Sequence, residues 1–221
     1  FSSRRRHTRL LTVTGVQTCA LPISTVAHVP HGIPVIADAK RGDIDNTARA
    51  YARAIFDVYG CDAITANPYL GRDALAPFLD RADRGTYILC RTSNPGAADI
   101  AELDVAGEPL YVRIAERAPR WTTNGNIGLV VGATAPAQLA RVRVAAPDVP
   151  ILLPGVGAQG GDLEGSIGAG LDRTGAGLLV VAARQVMYAS SGRDFAAAAR
   201  AAASRLREQI ESARANVERG R

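Results

Sequence analysis

The stretch VIADAKRGDI, residues 35–44, runs an apolar segment directly into the charged residues Asp38, Lys40, Arg41 and Asp43. An apolar run that ends in charged side chains is typical of the carboxyl end of a buried parallel strand, where barrel enzymes place their catalytic groups. Lys40 is also the only lysine of the chain, which has 25 arginines among its 221 residues. This position therefore needs a property that arginine lacks.

Similar apolar runs recur along the chain, and helical patterns separate them. We predict strands over IPVIAD 33–38, DAITAN 62–67, TYILCR 86–91, IGLVVG 127–132, PILLPG 150–155 and LLVVAA 178–183. We predict helices over 46–58, 71–83, 107–118, 135–146, 163–171 and 194–216. Strands that alternate with helices at this spacing indicate repeated right-handed βα units and a parallel sheet.

Both a closed (β/α)₈ barrel and an open doubly wound sheet fit this alternation. Polar residues follow most of the strands: Asp38 and Lys40, Asn67, Arg91 and Ser93, the glycines of 155–161, and Arg184. A barrel brings all of these strand ends to one mouth, whereas an open sheet concentrates its site at one switch point. We therefore predict an α/β fold of the (β/α)₈ TIM-barrel class. Because only six strands are visible, we expect the first two βα units to be lacking from this chain.

Composition excludes several functional classes. A hydrophobic content of 47% suits one globular domain, and no apolar run approaches the ~20 residues of a membrane span. The net charge is +5, but Arg4, Arg5, Arg6 and Arg9 supply +4 of it within residues 1–24, which contain no acid. The remaining body is near neutral, so we predict neither nucleic-acid nor membrane binding.

Residues 1–24, FSSRRRHTRLLTVTGVQTCALPIS, stand apart from the rest. A basic start followed by an apolar stretch is a signal-peptide pattern, but polar residues interrupt the apolar part. The segment resembles the conceptual translation of a sequencing adapter. We therefore predict a non-native segment at 1–24 and a partial barrel domain at 25–221.

The three cysteines Cys19, Cys61 and Cys90 do not have metal-ligand spacing. Cys61 and Cys90 lie in apolar strand-like contexts, where a buried free thiol is the expected state. Free thiols suit a reducing compartment, and we predict a cytoplasmic protein without a metal site.

Asp38 and Lys40 are two residues apart, so on a strand their side chains share one face. An ordinary ion pair is the simplest explanation of such a spacing. A lysine held between carboxylates is also suited to delivering a proton to a carbanion, which arginine does poorly because its pKa is too high. The second interpretation explains why the only lysine stands here.

Two further segments offer binding groups. LLPGVGAQGGD, 152–162, places a glycine-rich loop with Gln159 after a strand, and Arg184 follows the next strand. Barrels commonly bind phosphate at these two positions, although a glycine-rich turn with a surface arginine gives the same pattern. CRTSNPGAAD, 90–99, places Ser93 where it can bind a polar heterocycle, although a capped Pro-Gly turn is an equally economical explanation.

Together, DAKRGDI, RTSNPGAAD, GLVVGAT and LLPGVGAQGGD resemble orotidine 5'-phosphate decarboxylase, in particular its bacterial branch with DAKRGD and SNPG motifs. The resemblance covers about residues 30–215. It implies a TIM barrel, a homodimer with active sites at the subunit interface, and decarboxylation of orotidine 5'-phosphate to UMP in pyrimidine biosynthesis without metal or organic cofactor.

The resemblance also implies a role for each matching residue. Lys40 donates a proton to C6 when CO₂ leaves, and Asp38 presses on the substrate carboxylate and holds Lys40. Asp43 reaches into the partner subunit's site, with Thr47 behind it. Ser93 binds the pyrimidine, and Gln159 and Arg184 bind the 5'-phosphate.

In that family the first two strands add an aspartate and a second lysine, and this chain has no second lysine. We therefore expect the 221-residue chain on its own to lack activity. Two alternatives stay open: a non-catalytic nucleotide-binding remnant, and a metal-dependent sugar-phosphate lyase or decarboxylase of the same suprafamily, such as hexulose-phosphate synthase.

Overall fold

The computed structural model describes residues 23–156 and 161–219. Within these residues six strands form one sheet: β1 (Ile36–Arg41), β2 (Ala63–Ala66), β3 (Gly85–Arg91), β6 (Ile127–Val131), β7 (Ile151–Pro154) and β8 (Leu178–Val181). The sheet is parallel, and its strand order is β1-β2-β3-β6-β7-β8. A short antiparallel pair, β4 (Asp104–Val105) and β5 (Glu108–Pro109), lies between β3 and β6.

Helices connect the parallel strands. They are α1 (Asp45–Arg53), α2 (Arg72–Leu79), α3 (Ala98–Ala101), α4 (Leu110–Arg117), α5 (Pro136–Ala145), α6 (Leu163–Gly170), α7 (Arg184–Met187) and α8 (Phe195–Arg219). A π-helical turn over Ala54–Val58 continues α1. All six predicted strands and all six predicted helices are present, whereas α3, α7 and the β4–β5 pair were not foreseen.

The central strands are buried on both faces, as near-continuous apolar runs predict. Every residue of β2 and β6 is buried. The core between the sheet and the helices contains Phe78 of α2, Tyr111 of α4 and Leu139 of α5, all at most 2% exposed. This packing fixes the sheet, so the side chains at its carboxyl edge project from a rigid base.

The first strand was predicted too early. Its predicted range was 33–38, but β1 runs from Ile36 to Arg41 and includes the charged residues. The backbone N–H of Lys40 donates to Thr65 Oγ1 at 2.9 Å, and Asn67 N–H donates to the carbonyl of Arg41 at 2.7 Å. Apolar periodicity could not show this extension, because bonds from β2 and the residue after it hold a polar segment in the strand.

The two outer strands have one neighbour each within the described ranges 23–156 and 161–219. β1 pairs with β2, and β8 pairs with β7. β8 is also more exposed than the strands inside the sheet: Leu179 is 44% exposed, whereas Leu152 and Leu153 of β7 are almost completely buried. As far as residues 23–156 and 161–219 show, the sheet is therefore open between β8 and β1. The predicted segment 1–24 lies almost entirely outside the described residues and stays a prediction.

Candidate active site

A cavity of about 560 Å³ opens at the carboxyl ends of the parallel strands. Five strands or the loops that follow them contribute to its wall: Asp38, Lys40, Leu89, Thr92, Ser93, Asn94, Val130, Pro154, Gly155, Val156, Val181, Ala183 and Arg184. Four residues predicted from sequence as site residues, Asp38, Lys40, Ser93 and Arg184, therefore share one cavity. The prediction that strand ends converge on a single mouth is confirmed for these four.

Lys40 and Asp38 form the charged centre of this cavity. The ammonium nitrogen Nζ lies 2.6 Å from Oδ1 and 2.6 Å from Oδ2 of Asp38. Both side chains are about half exposed. An ion pair with that exposure contributes only about 0–1 kcal/mol to stability. The pair therefore contributes little to stability, and its main effect is to position the Lys40 ammonium group.

The pair does not arise from regular strand alternation, which is a correction to the sequence argument. β1 advances four residues from Ala37 to Arg41 while β2 advances two from Ile64 to Ala66, so β1 contains a bulge. Within the bulge Lys40 has a φ of +47°, in the left-handed region. Such a conformation costs a non-glycine residue about 1–3 kcal/mol. The bulge turns the lysine toward the aspartate.

Ser93 follows β3 and is placed by close contact with the end of β6. A Cβ on Gly132 would lie 2.6 Å from Ser93 Cα and 2.7 Å from its backbone nitrogen, so only glycine fits there. Thr134 Oγ1 donates a hydrogen bond to the Ser93 carbonyl at 3.1 Å. The Asn94 amide oxygen accepts from Thr92 Oγ1 at 2.7 Å and does not cap the following turn. The capped-turn explanation of this segment therefore fails for the Asn94 side chain.

Arg184 also lines the cavity, three residues after the end of β8 and at the start of α7. Its side chain is exposed, and within residues 23–156 and 161–219 it has no ion-pair partner. Gly155, which lines the same cavity after the neighbouring strand β7, has a φ of +100°. Gln159, predicted to share the phosphate with Arg184, lies outside the described residues. An available guanidinium beside a glycine turn is a suitable site for an anion.

Asp43 and Thr47 do not line this cavity. Asp43 Oδ1 accepts a hydrogen bond from Ile44 N–H at 2.8 Å, and Thr47 is exposed on α1. The resemblance places both residues in the partner subunit's site. That assignment stays a prediction.

Two polar residues that sequence grouped with the site have other roles. Arg91 is buried, and its guanidinium bonds Glu102 Oε1 through Nε at 3.1 Å and Nη2 at 3.0 Å. Asn67 accepts from Tyr69 N–H at 3.0 Å and so caps the short helical turn Pro68–Leu70. Conversely, Thr65 and Gly132 were missed, because a threonine or a glycine in an apolar run does not signal a site by itself.

Cys61 and Cys90 are free and buried, as predicted, whereas Cys19 lies outside the described residues. Burial raises the pKa of both thiols, which makes them poor nucleophiles. In the described part of the chain, His, Cys, Asp and Glu side chains nowhere gather in groups of three or more that could hold a metal ion. No helix among the described residues has the length and apolar character to cross a membrane.

A family model described as "Orotidine 5'-phosphate decarboxylase / HUMPS family" matches residues 7–202. The chain is 56% identical over 192 residues to the orotidine 5'-phosphate decarboxylase of Thermomicrobium roseum. The aligned region covers 86% of this chain and 68% of the relative. It is 53% identical over 189 residues to the enzyme of the same name from Azoarcus, covering 85% of this chain and 70% of the relative.

The structure is also similar to the solved OMP decarboxylase of Leishmania donovani. The TM-score is 0.82 at 44% sequence identity, with 90% of this chain and 76% of the Leishmania chain covered. The parallel sheet with alternating helices matches this barrel neighbour, so the predicted fold class is confirmed.

Proposed function

Because the chain belongs to the orotidine 5'-phosphate decarboxylase / HUMPS family, we propose that its cavity decarboxylates orotidine 5'-phosphate to UMP. The observation that carries the proposal is the ion pair of Lys40 with Asp38 in the same cavity as Ser93 and Arg184. This arrangement combines a proton donor, a group for the base and a group for the phosphate around one space.

The proposed reaction follows from these positions. Arg184, together with Gln159, binds the 5'-phosphate, and Ser93 binds the pyrimidine. Asp38 lies against the substrate carboxylate, so that its negative charge disfavours the bound substrate relative to the carbanion. When the bond between C6 and the carboxylate breaks, CO₂ departs and the electron pair stays on C6. Lys40 Nζ gives a proton to C6 and is reprotonated from water.

The reaction explains the choice of lysine over arginine. An arginine would supply the same charge beside Asp38, but it releases a proton far less readily. All chemistry in this scheme is performed by side chains and substrate, so neither a metal nor an organic cofactor takes part.

The proposed enzyme is a homodimer, because Asp43 and Thr47 do not line their own cavity and are assigned to the partner subunit's site. We place it in the cytoplasm, which suits the free thiols of Cys61 and Cys90.

The proposal is tested by the consumption of orotidine 5'-phosphate in two backgrounds. One is the 221-residue chain. The other, called here the extended chain, carries in place of residues 1–24 about 60 residues from the amino-terminal part of the Thermomicrobium roseum relative, enough for two βα units. Turnover that survives EDTA supports the proposal. Binding of UMP without turnover indicates a nucleotide-binding remnant, and turnover of sugar phosphates that EDTA stops indicates the metal-dependent alternative.

A further inference from the structure

We infer that Thr65 is a positioning residue for this reaction, through which the chain fixes the Lys40 ammonium group. Thr65 lies on β2, opposite the bulge of β1, and is completely buried. It does not line the cavity. The inference rests on the proposed function, in which Lys40 supplies the proton.

The hydroxyl of Thr65 joins both members of the ion pair. It donates to Asp38 Oδ1 at 2.9 Å and accepts from the Lys40 backbone N–H at 2.9 Å. The direction of both bonds is determined by chemistry: a backbone N–H can only donate, so the hydroxyl proton remains for the carboxylate. One side chain thus fixes the Asp38 carboxylate and the Lys40 main chain relative to each other.

The backbone bond maintains the bulge. The Lys40 N–H bonds to the Thr65 side chain and not to a main-chain carbonyl of β2. This bond holds Lys40 in its left-handed conformation, with φ at +47°. Without it, we expect the strand to relax toward the regular conformation and the Lys40 ammonium group to shift relative to Asp38.

Thr65 is the polar member of an otherwise apolar, buried strand. The neighbours of Thr65 in β2, Ile64 and Ala66, are both completely buried. A valine has nearly the shape of threonine and suits a strand, so Thr65→Val removes the two hydrogen bonds and keeps the packing.

The chain offers a matched control on the next strand. Thr86 of β3 is also completely buried, and within the described residues its Oγ1 has no hydrogen-bond partner. Thr86→Val therefore makes the same chemical change in the same sheet without removing a bond.

The test measures kcat, KM and UMP affinity for Thr65→Val, Thr65→Ser, Thr86→Val and Lys40→Ala in the extended chain, and UMP affinity of the same variants in the 221-residue chain. We expect Thr65→Val to lower kcat about 10- to 150-fold, the range for a lost hydrogen bond to a charged group. KM and UMP affinity should change less than about 3-fold, because the groups that bind the phosphate and base are unchanged. Thr65→Ser should keep most of the activity, and Thr86→Val all of it.

A purely structural role would lower thermal stability and leave kcat of the folded protein unchanged. The inference is overturned if Thr65→Val keeps kcat within about 3-fold of the unmodified protein, or if Thr65→Ser is as impaired as Thr65→Val. If Thr65→Val does not fold, Thr65→Cys replaces it, with the same expectation, because a thiol is a weak donor.

Lys40→Ala separates this inference from the proposed function. An inactive Lys40→Ala beside a fully active Thr65→Val rejects the inference alone. An active Lys40→Ala rejects the proposed proton donor and, with it, the role of Thr65.

Discussion

Lys40 Nζ lies 2.6 Å from each carboxylate oxygen of Asp38, two residues earlier on the same bulged strand. The two side chains therefore contact each other before any substrate enters. Such preorganisation lets a charged group act in a transition state without first having to rearrange. The same arrangement brings the Asp38 carboxylate next to the space that a bound substrate would occupy.

Arg184 provides a test of the phosphate side of the cavity. Arg184→Ala in the extended chain should raise KM for orotidine 5'-phosphate about 10- to 150-fold, the range for a charge-assisted contact. Binding energy from the phosphate also acts at the reacting carbon, so kcat can fall as well. Arg193→Ala, which changes an exposed arginine outside the cavity lining, is the control. Equal kcat/KM for Arg184→Ala and the unmodified extended chain would place the phosphate elsewhere.

Gly132 tests whether the end of β6 positions Ser93. Gly132→Ala adds a Cβ 2.6 Å from Ser93 Cα, so the backbone of one strand end must move. We expect a lower melting temperature and a loss of kcat/KM in the extended chain. Gly168→Ala on α6 is the matched control, because its new Cβ meets nothing closer than Val217 Cγ2 of α8, at 3.8 Å. It should be neutral or stabilising by up to about 1 kcal/mol, since alanine favours helix.

Equal results for the two glycine variants would contradict this role of Gly132. If Gly132→Ala and Gly168→Ala have the same melting temperature and kcat/KM, the close approach of β6 to Ser93 does not position the serine.

Arg143 contacts the segments just before β7 and β8, and its substitution tests whether these contacts stabilise the fold. Its side chain is 8% exposed, and its guanidinium donates hydrogen bonds of 2.7–3.2 Å to the carbonyls of Ala146, Pro147, Val149, Gly170 and Gly177. Arg143→Met leaves all five acceptors without this donor, and the carbonyls of Gly170 and Ala146 are in buried bonds. We expect a loss of at least about 2 kcal/mol in the free energy of unfolding of the extended chain, measured by urea denaturation.

Arg173→Met is the control for Arg143→Met. Arg173 forms an exposed ion pair with Asp148, in which the side chains are 79% and 70% exposed. Its loss should change stability by less than about 1 kcal/mol. Equal losses for the two variants would show that the buried hydrogen bonds of Arg143 do not stabilise the fold.

The sequence was sufficient for the order of strands and helices, because continuous apolar runs and amphipathic helices reflect local burial. It was sufficient for the grouping of Asp38, Lys40, Ser93 and Arg184, because strand ends meet in this fold. It could not show that Arg91 is bonded to Glu102, since the two residues are eleven positions apart and the chain between them must fold back before their side chains meet. Nor could it show the bulge at Lys40, which depends on a hydroxyl of the next strand.

The open sheet gives a prediction on folding. β1 and β8 each have one strand neighbour in the described ranges, and Leu179 of β8 is 44% exposed. Open apolar edges promote aggregation, and a barrel removes them by closing on itself. We expect the 221-residue chain to be poorly soluble or molten and without turnover, whereas the extended chain melts cooperatively and is active. Circular-dichroism melts of both proteins at matched concentration test this. A cooperative melt with turnover from the 221-residue chain would contradict it.

The most direct measurement of the central claim is decarboxylation by Lys40→Ala in the extended chain, with UMP affinity measured on the same protein. Removing a group that transfers a proton in the transition state lowers kcat by about 10²-fold or more. UMP affinity should largely survive, because Ser93, Gln159 and Arg184 remain. Loss of turnover with UMP binding retained is the predicted result. A kcat within a few-fold of that of the unmodified extended chain would contradict the assignment of Lys40 as the proton donor.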